Sequence, residues 1–346
     1  METINHDILY CIAIKLELND LLRFSMVGKR IYNIINRDNI WMYKLSQEFP
    51  KYRTLITHFF YSSVKKLYIR IYYLSILNNK LQLNYDIYEL FDFEIKYLDV
   101  NIKNIKEFPK EIKYLCVENI NAINNGIETV PDEILELDML VYLNMTHNKI
   151  VKFPLKMCNM TNLKELYLNK NFIKEISIDL PNLTELNLAH NKLEKISFNN
   201  MTNLKRLSLE HNWLTSIDII SLVNLSRLNL SNNLIEEINI ENFSELNYLN
   251  LSNNHIKDLY IENLPDLLTF ICSNNYITTI SKNIGSLFNL RILDLDNNFI
   301  EEVPKEIGNL RNLERLDLQN NNIKELPDEM RQLRSLENID VSGNGI

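Results

Sequence analysis

Three histidines in the middle of the chain are the first candidates for chemistry, because imidazole is a common metal ligand and acid–base group. His147, His190 and His211 each stand directly before an asparagine of a recurring motif. A zinc site needs three or four ligands in one place. Lys170 interrupts the histidine series, and no carboxylate or thiol completes a set. We therefore interpret these histidines as solvated surface residues and expect no metal site.

The sequence contains no other pattern typical of catalysis or cofactor binding. It has no glycine-rich phosphate-binding motif, no dinucleotide-binding fingerprint and no HExxH motif. The four cysteines, at positions 11, 116, 158 and 272, are scattered and show no zinc-ligand spacing. We expect a protein that is not an enzyme and binds no cofactor.

Polar and aromatic residues at fixed positions of the motif are better candidates, because they could bind another protein. Exposed aromatic residues beside arginine are typical of binding hot spots. A column of aspartates on neighbouring strands needs either a basic partner or nearby arginines, such as Arg291 and Arg315, to offset the repulsion. The alternative is that these charges are only solvated and that the aromatic rings pack on adjacent turns. The predicted target-binding residues are Tyr167, Arg206, Trp213, Arg227, Tyr248, Tyr276, Asp294, Asp317 and Asp340.

The element that must position these residues is a short repeat, L-x-x-L-x-L-x-x-N-x-I, seen in residues 225–235. Its asparagine recurs from Asn125 to Asn344 at steps of 20 to 23 residues, and a degenerate copy with Lys103 precedes the series. Alternation within L-x-L predicts a strand that is buried on one face. The long connections require parallel pairing. We expect each asparagine amide to satisfy backbone groups of the turn.

This motif and its period resemble the leucine-rich repeat. The resemblance implies an α/β solenoid of about 12 repeats over residues 95–346, because each copy is too small to bury its own apolar face. Repeats with Pro131, Pro304 or Pro327 should form a short helix after the turn. The shorter middle repeats alternate at 176–178, 196–198, 217–219, 238–240 and 259–261, which predicts a second strand in each. The last copy ends after its strand, so we expect frayed or partner-capped residues there.

Residues 1–48 read as two or three short helices, and the spacing of their apolar residues from Ile4 to Trp41 resembles that of an F-box. Residues 49–94 read as a helical junction, in which residues 59–61 and 67–77 predict one well-buried helix with Val64 and Lys65 on its first turns. The spacing in residues 1–48 agrees with the F-box family throughout, although Asn5 replaces its usual proline and Gly28 its usual cysteine or serine. The resemblance implies binding to a Skp-type adaptor, and the alternative is a helical cap on the first repeat. The implied adaptor-binding residues are Ile4, Ile8, Leu9, Ile12, Leu16, Leu21, Leu22, Val27 and Trp41.

Charge and composition exclude several other classes of protein. The net charge is −8, and residues 95–346 carry 25 basic and 35 acidic side chains, which disfavours nucleic-acid binding. No run approaches the roughly 18 apolar residues of a membrane span. Without paired cysteines or a signal-peptide pattern, we expect an intracellular protein, in the cytoplasm or nucleus.

The resemblances together predict the substrate-recognition subunit of a cullin-RING ubiquitin ligase, with the repeats recruiting a target protein. The alternative is a non-catalytic scaffold that binds a small GTPase or a phosphatase through its repeats, with the N-terminal helices acting only as a cap. Binding of residues 1–48 to an adaptor would discriminate between them.

Overall fold

The chain folds into two compact units. The computed structural model describes residues 6–27, 29–52, 63–83, 85–86, 89–90, 96–154 and 160–346. The helical unit lies within residues 1–95 and 111–116, and the repeat unit comprises residues 96–110 and 117–346.

Among its described residues, the helical unit has four helices in the segment where the sequence predicted two or three, and a longer helix follows them. They are α1 (His6–Lys15), α2 (Leu18–Ser25), α3 (Lys29–Ile35), α4 (Asp38–Glu48) and α5 (Val64–Leu81). The buried residues of α5 recur at helical spacing, which confirms the predicted buried helix over residues 67–77, while residues 59–61 lie outside the described part of the chain. The buried residues of α5 are Leu67, Tyr68, Ile71, Leu74, Leu77 and Leu81.

An aromatic pair joins α4 to α5 in the core of this unit. The rings of Trp41 and Tyr68 are fully buried, with centroids 5.5 Å apart. The Trp41 indole N–H donates to the Ile35 carbonyl at 2.6 Å, and the Tyr68 hydroxyl donates to the Glu48 carboxylate. Both polar atoms of the pair are therefore satisfied, as buried aromatic residues with polar groups require.

Twelve three-residue strands form the main sheet of the repeat unit, and all neighbouring strands are parallel. The predicted number of repeats and the parallel pairing are confirmed. The strands are β1 (Tyr97–Asp99), β2 (Asn119–Asn121), β3 (Tyr142–Asn144), β4 (Glu165–Tyr167), β6 (Glu185–Asn187), β8 (Arg206–Ser208), β9 (Arg227–Asn229), β11 (Tyr248–Asn250), β13 (Thr269–Ile271), β14 (Ile292–Asp294), β15 (Arg315–Asp317) and β16 (Asn338–Asp340).

Two kinds of return segment, the stretch that connects one main-sheet strand to the next, recur in the described repeats. The shorter repeats form two small parallel sheets, β5 (Glu175–Asp179) with β7 (Lys195–Asn199) and β10 (Glu237–Glu241) with β12 (Asp258–Glu262). Repeats with the proline contain 3₁₀ helices, as predicted. These are Asp132–Glu136, Lys305–Asn309 and Asp328–Gln332.

The strand predicted at residues 217–219 is wrong. These residues form no strand. The Asp218 carboxylate accepts a hydrogen bond from the backbone N–H of Ile220 at 3.2 Å. Such an Asx turn competes with an extended conformation, because it bends the chain within two residues. The interruption separates the two small sheets.

The apolar positions of the motif form one continuous core. Leu228, Leu230 and Ile235 of a central repeat are each 0% exposed, and their counterparts in the other repeats are similarly buried. In the last repeat Ile339 is 46% exposed, and Leu336 and Val341 are half-buried. Since each repeat buries its apolar face only against its neighbours, the stability of the unit depends on that stacking.

The ladder asparagines, which stand in every repeat after the first, connect neighbouring turns. The Asn233 amide nitrogen donates to the carbonyl of Leu209 in the preceding repeat and to that of Leu230 in its own turn, both at 3.0 Å. Its carbonyl oxygen accepts from the backbone N–H of Leu214 at 3.1 Å. The predicted role is therefore confirmed. The same arrangement recurs at Asn148, Asn171, Asn191, Asn212, Asn254, Asn275, Asn298 and Asn321.

Candidate protein-binding surface

Neighbouring strands of the main sheet pair without an offset, so side chains at equivalent positions align in columns on its solvent face. The middle residue of each strand points into the core, so the first and third residues face outward. Arg206 of β8 pairs with Arg227 of β9, which pairs with Tyr248 of β11. Tyr167 lies in the column of third residues, as do the three aspartates of β14, β15 and β16. The sequence-predicted residues of the strands therefore lie on one face but in separate groups, whereas Trp213 and Tyr276 lie outside the strands, each after a ladder asparagine.

The central patch is the first of these groups. Its members share the solvent face of five consecutive strands, and those of the last four strands line a shallow cavity of about 330 Å³. They are Glu165, Tyr167, Glu185, Arg206, Arg227 and Tyr248. Burial raises the pKa of the Tyr167 hydroxyl, and its hydrogen bonds with Glu185 and Glu165 add to the shift. This hydroxyl therefore remains protonated and can act as a hydrogen-bond donor at neutral pH.

The two arginines of the central patch have different partners. The Arg206 guanidinium binds the Glu185 carboxylate, with Nε 2.6 Å from Oε2. The Arg227 guanidinium lies over the Tyr248 ring, 4.9 Å from its centroid. Among the described residues, no carboxylate lies within 4.0 Å of Arg227. The positive charge of Arg227 therefore remains available to an incoming partner.

The acidic ladder forms the second group. Asp294, Asp317 and Asp340 stand one above another on adjacent strands, and Arg315 approaches Asp317 at 3.4 Å. Burial raises the pKa of Asp294 to about 6, and the charges of Asp296 and Asp317 add to the shift. By contrast, hydrogen bonds from Ser342 hold the pKa of the exposed Asp340 below its usual range. The predicted contact with a basic partner stays a prediction.

Asp294→Asn is expected to stabilise the protein by about 1 kcal/mol at pH 7, a value reduced for the half-exposed position of this carboxyl. Asn229 and Asn250 occupy the same column, and their carbonyl oxygens accept the backbone N–H bond that Asp294 accepts. Because folding raises the pKa of Asp294, ionisation costs the folded state stability as pH rises from about 4 to 6. Urea unfolding should show a higher free energy of unfolding for the variant at pH 7 and no difference from wild type at pH 4. An equal gain at both pH values would contradict the assignment.

An edge row of partly exposed side chains borders the main sheet at the position after each ladder asparagine. It contains Trp213 and Tyr276, which the sequence predicted and which are 46% and 45% exposed. The Lys192 ammonium lies 4.9 Å from the Phe172 ring centroid and 5.9 Å from that of Trp213. In chain order the row is Lys149, Phe172, Lys192, Trp213, Leu234, His255, Tyr276 and Phe299. Sequence analysis did not single out Lys192, Leu234 and His255. Their position directly after a ladder asparagine could have identified them.

The three histidines occupy the position before the ladder asparagine, where the backbone is left-handed. The φ values are 58° at His147, 53° at His190 and 54° at His211. The rings of His190 and His211 stack with centroids 4.2 Å apart. Burial lowers the pKa of His190, and the neighbouring His211 lowers it further. Within the described ranges, no group of three or more histidine, cysteine or acidic residues could hold a metal ion.

Three of the predicted adaptor-binding residues lie in the core of the helical unit. Leu9 is 4% exposed, and Leu21 and Trp41 are 0% exposed. In this conformation the three side chains pack inside the unit, so the spacing at these positions also serves the core. Their contact with an adaptor stays a prediction. Ile8 lies in α1, and Ile4 lies outside the described residues.

The remaining four predicted adaptor-binding residues keep some exposed surface. Ile12 is 39% exposed and Val27 is 52% exposed. Leu16 and Leu22 are half-buried. These are the positions at which the adaptor hypothesis can be tested without disrupting the core.

Comparison with known proteins identifies the repeats. A model described as a leucine-rich repeat region matches residues 271–345, and a two-copy leucine-rich repeat model matches 161–200 and 202–243. A solved leucine-rich-repeat protein of Leptospira interrogans is 32% identical, with a TM-score of 0.57, over 69% of this chain and 70% of that one. This chain belongs to the leucine-rich-repeat proteins. None of the matched regions is a catalytic domain.

Two further relatives share the repeats over smaller parts of their own chains. Keratocan of Bos taurus is 33% identical over 108 residues, which are 29% of this chain and 29% of keratocan. The leucine-rich-repeat ectodomain of a plant membrane receptor kinase from Arabidopsis thaliana, solved in complex with Casparian strip integrity factor 2, is 25% identical. It has a TM-score of 0.55 over 68% of this chain and 34% of that one.

The predicted intracellular location is wrong. The matched relatives keratocan, lumican and osteomodulin are extracellular matrix proteins, and the plant neighbour is an ectodomain. The prediction relied on features that the sequence lacks, such as paired cysteines, and leucine-rich repeats are stable through their stacked core without them. In the described part of the chain, no helix has the length and apolar character to cross a membrane.

Proposed function

We propose that this protein is a non-catalytic binding protein whose main sheet holds a protein partner at the central patch. The observation that carries the proposal is the unpaired Arg227, held over the Tyr248 ring at 4.9 Å. Arginine and tyrosine dominate binding hot spots, because they combine apolar contact area with directional hydrogen bonds. The pairing of Arg206 with Glu185 fixes the side chains beside them.

The fold supports this proposal. Short parallel strands in exact register hold the patch on a rigid backbone, which lowers the entropy lost on binding. Stacked repeats present extended surfaces of this kind to their partners. The Arabidopsis relative was solved in complex with Casparian strip integrity factor 2. Other leucine-rich-repeat domains also bind partner proteins.

A photo-crosslinking residue at position 248 tests this proposal against a matched control at Tyr260, which is 73% exposed in a return segment. Full-length protein carrying benzoylphenylalanine at either position would be irradiated in the culture medium, and separately in an extract, of the native cells. We expect one partner to crosslink at position 248 and not at 260. Equal crosslinking at both positions, or none at 248, would contradict the proposal.

Arg227→Glu should then weaken binding of the captured partner by about 30-fold, the loss expected of a hot-spot arginine. The control is Arg311→Glu, which reverses an exposed charge in another repeat. Isothermal titration with the purified partner gives both affinities. An unchanged affinity for Arg227→Glu would place the contact elsewhere.

A separate proposal is that the helical unit binds a Skp-type adaptor, as the F-box resemblance implies. It is supported by the spacing in residues 1–48, while the matched family regions lie within residues 161–345. Full-length protein should bind a purified adaptor, and Ile12→Asp with Val27→Asp should weaken binding at least tenfold. Ile220→Asp, at an apolar residue that is 72% exposed in the repeat unit, is the control. Absence of adaptor binding leaves the cap or scaffold interpretation.

A further inference from the structure

The edge of the main sheet carries a basic stretch that the central patch does not use. It comprises Lys149, Lys170, His190, Lys192 and His211, which lie immediately before or after the ladder asparagines of consecutive repeats. Within the described part of the chain, none of its three lysines forms a salt bridge. The positive charges of the three lysines therefore have no carboxylate in contact, although residues 95–346 are acidic overall.

The same edge row becomes apolar in the following repeats. Leu234, Tyr276 and Phe299 are 39%, 45% and 47% exposed. The Tyr276 ring stacks on that of Phe299, with centroids 6.0 Å apart, and lies 5.6 Å from the His255 ring. Contiguous apolar side chains exposed in this way are typical of interaction surfaces. The edge thus has a basic half, in which Lys149 and Lys192 alternate with Phe172 and Trp213, and a largely apolar half from Leu234 to Phe299 that His255 interrupts.

We propose that this edge binds an extended segment of a partner polypeptide in which an acidic stretch adjoins an apolar one. Carboxylates would meet the lysines and histidines, and the apolar side chains would meet Leu234, Tyr276 and Phe299. Seven steps of about 4.8 Å separate the first and last rungs, so an extended segment of about ten residues spans the edge. A uniformly anionic glycan or nucleic acid complements only the basic half. The inference is independent of the central patch.

The test is selection from a library of random ten-residue peptides displayed on phage, with the full-length protein as bait. Enriched peptides should contain a block of acidic residues followed or preceded by a block of apolar ones. A synthetic peptide of the enriched sequence is then titrated by fluorescence anisotropy. Its affinity should fall as salt rises, because exposed ion pairs are screened.

Three variants locate the site of the enriched peptide. Lys170→Glu with Lys192→Glu should weaken its binding at least tenfold. Lys282→Glu with Lys305→Glu makes the same charge change at exposed lysines of other repeats and should alter binding less than twofold. Arg227→Glu, in the central patch, should also leave binding unchanged. Circular dichroism verifies that each variant is folded.

Several results would overturn the proposal. One is enrichment of peptides without an acidic block. The same conclusion follows if the peptide binds equally well to wild type and to the edge variant, Lys170→Glu with Lys192→Glu. Another is loss of binding in Arg227→Glu, which would assign the peptide to the central patch. The third is that heparin binds as tightly as the peptide and loses affinity to the same extent in the edge variant. That result would identify a general polyanion site.

Discussion

Asn233→Ala is expected to lower the free energy of unfolding of the repeat unit by about 3–5 kcal/mol. The substitution removes the bonds to the carbonyls of Leu209 and Leu230 and leaves the N–H of Leu214 without its acceptor. These backbone groups lie in the interior, where water cannot replace the lost partner. Each buried group left unsatisfied costs about 1–3 kcal/mol, so the losses from one side chain accumulate.

The matched control is Asn239→Ala, which removes an exposed asparagine whose amide bonds only to the Glu241 carboxylate. That variant should unfold within about 0.5 kcal/mol of wild type. Urea unfolding followed by circular dichroism measures both variants. Because each repeat contacts only its neighbours, Asn233→Ala should also reduce hydrogen-exchange protection first in the repeats beside residue 233. A cost below about 1 kcal/mol would show that the ladder bonds are replaceable.

The repeat unit could be predicted in detail because its information is local and redundant. Each copy repeats the same alternation of apolar and polar residues and has nearly the same length, so strand order and register follow from the motif. Residues 217–219 are an exception that shows where prediction from the repeat pattern fails. Apolar alternation there predicted a strand, but Asp218 forms a turn with Ile220 that the alternation pattern does not reveal.

The surface was harder to predict, because exposure and pairing depend on neighbouring repeats. Arg206 and Arg227 occupy equivalent positions in the motif, yet one is bound to Glu185 and the other stacks on Tyr248. In the helical unit, one sequence pattern has two possible structural explanations. Its apolar spacing is typical both of a packed core and of an adaptor interface, and burial assigns Leu21 to the core.

Gly308→Ala is expected to cost the repeat unit about 2–3 kcal/mol. A Cβ atom at Gly308 would lie 2.6 Å from the Glu329 carbonyl oxygen and 2.8 Å from its Cβ, so the 3₁₀ segment of the next repeat must move. The control is Gly126→Ala, where the nearest atom, the Ile105 carbonyl oxygen, is 3.7 Å away. Urea unfolding should leave the control within about 0.5 kcal/mol of wild type. Hydrogen exchange in Gly308→Ala should accelerate mainly over residues 305–332, and unchanged exchange there would show that the rungs can separate without cost.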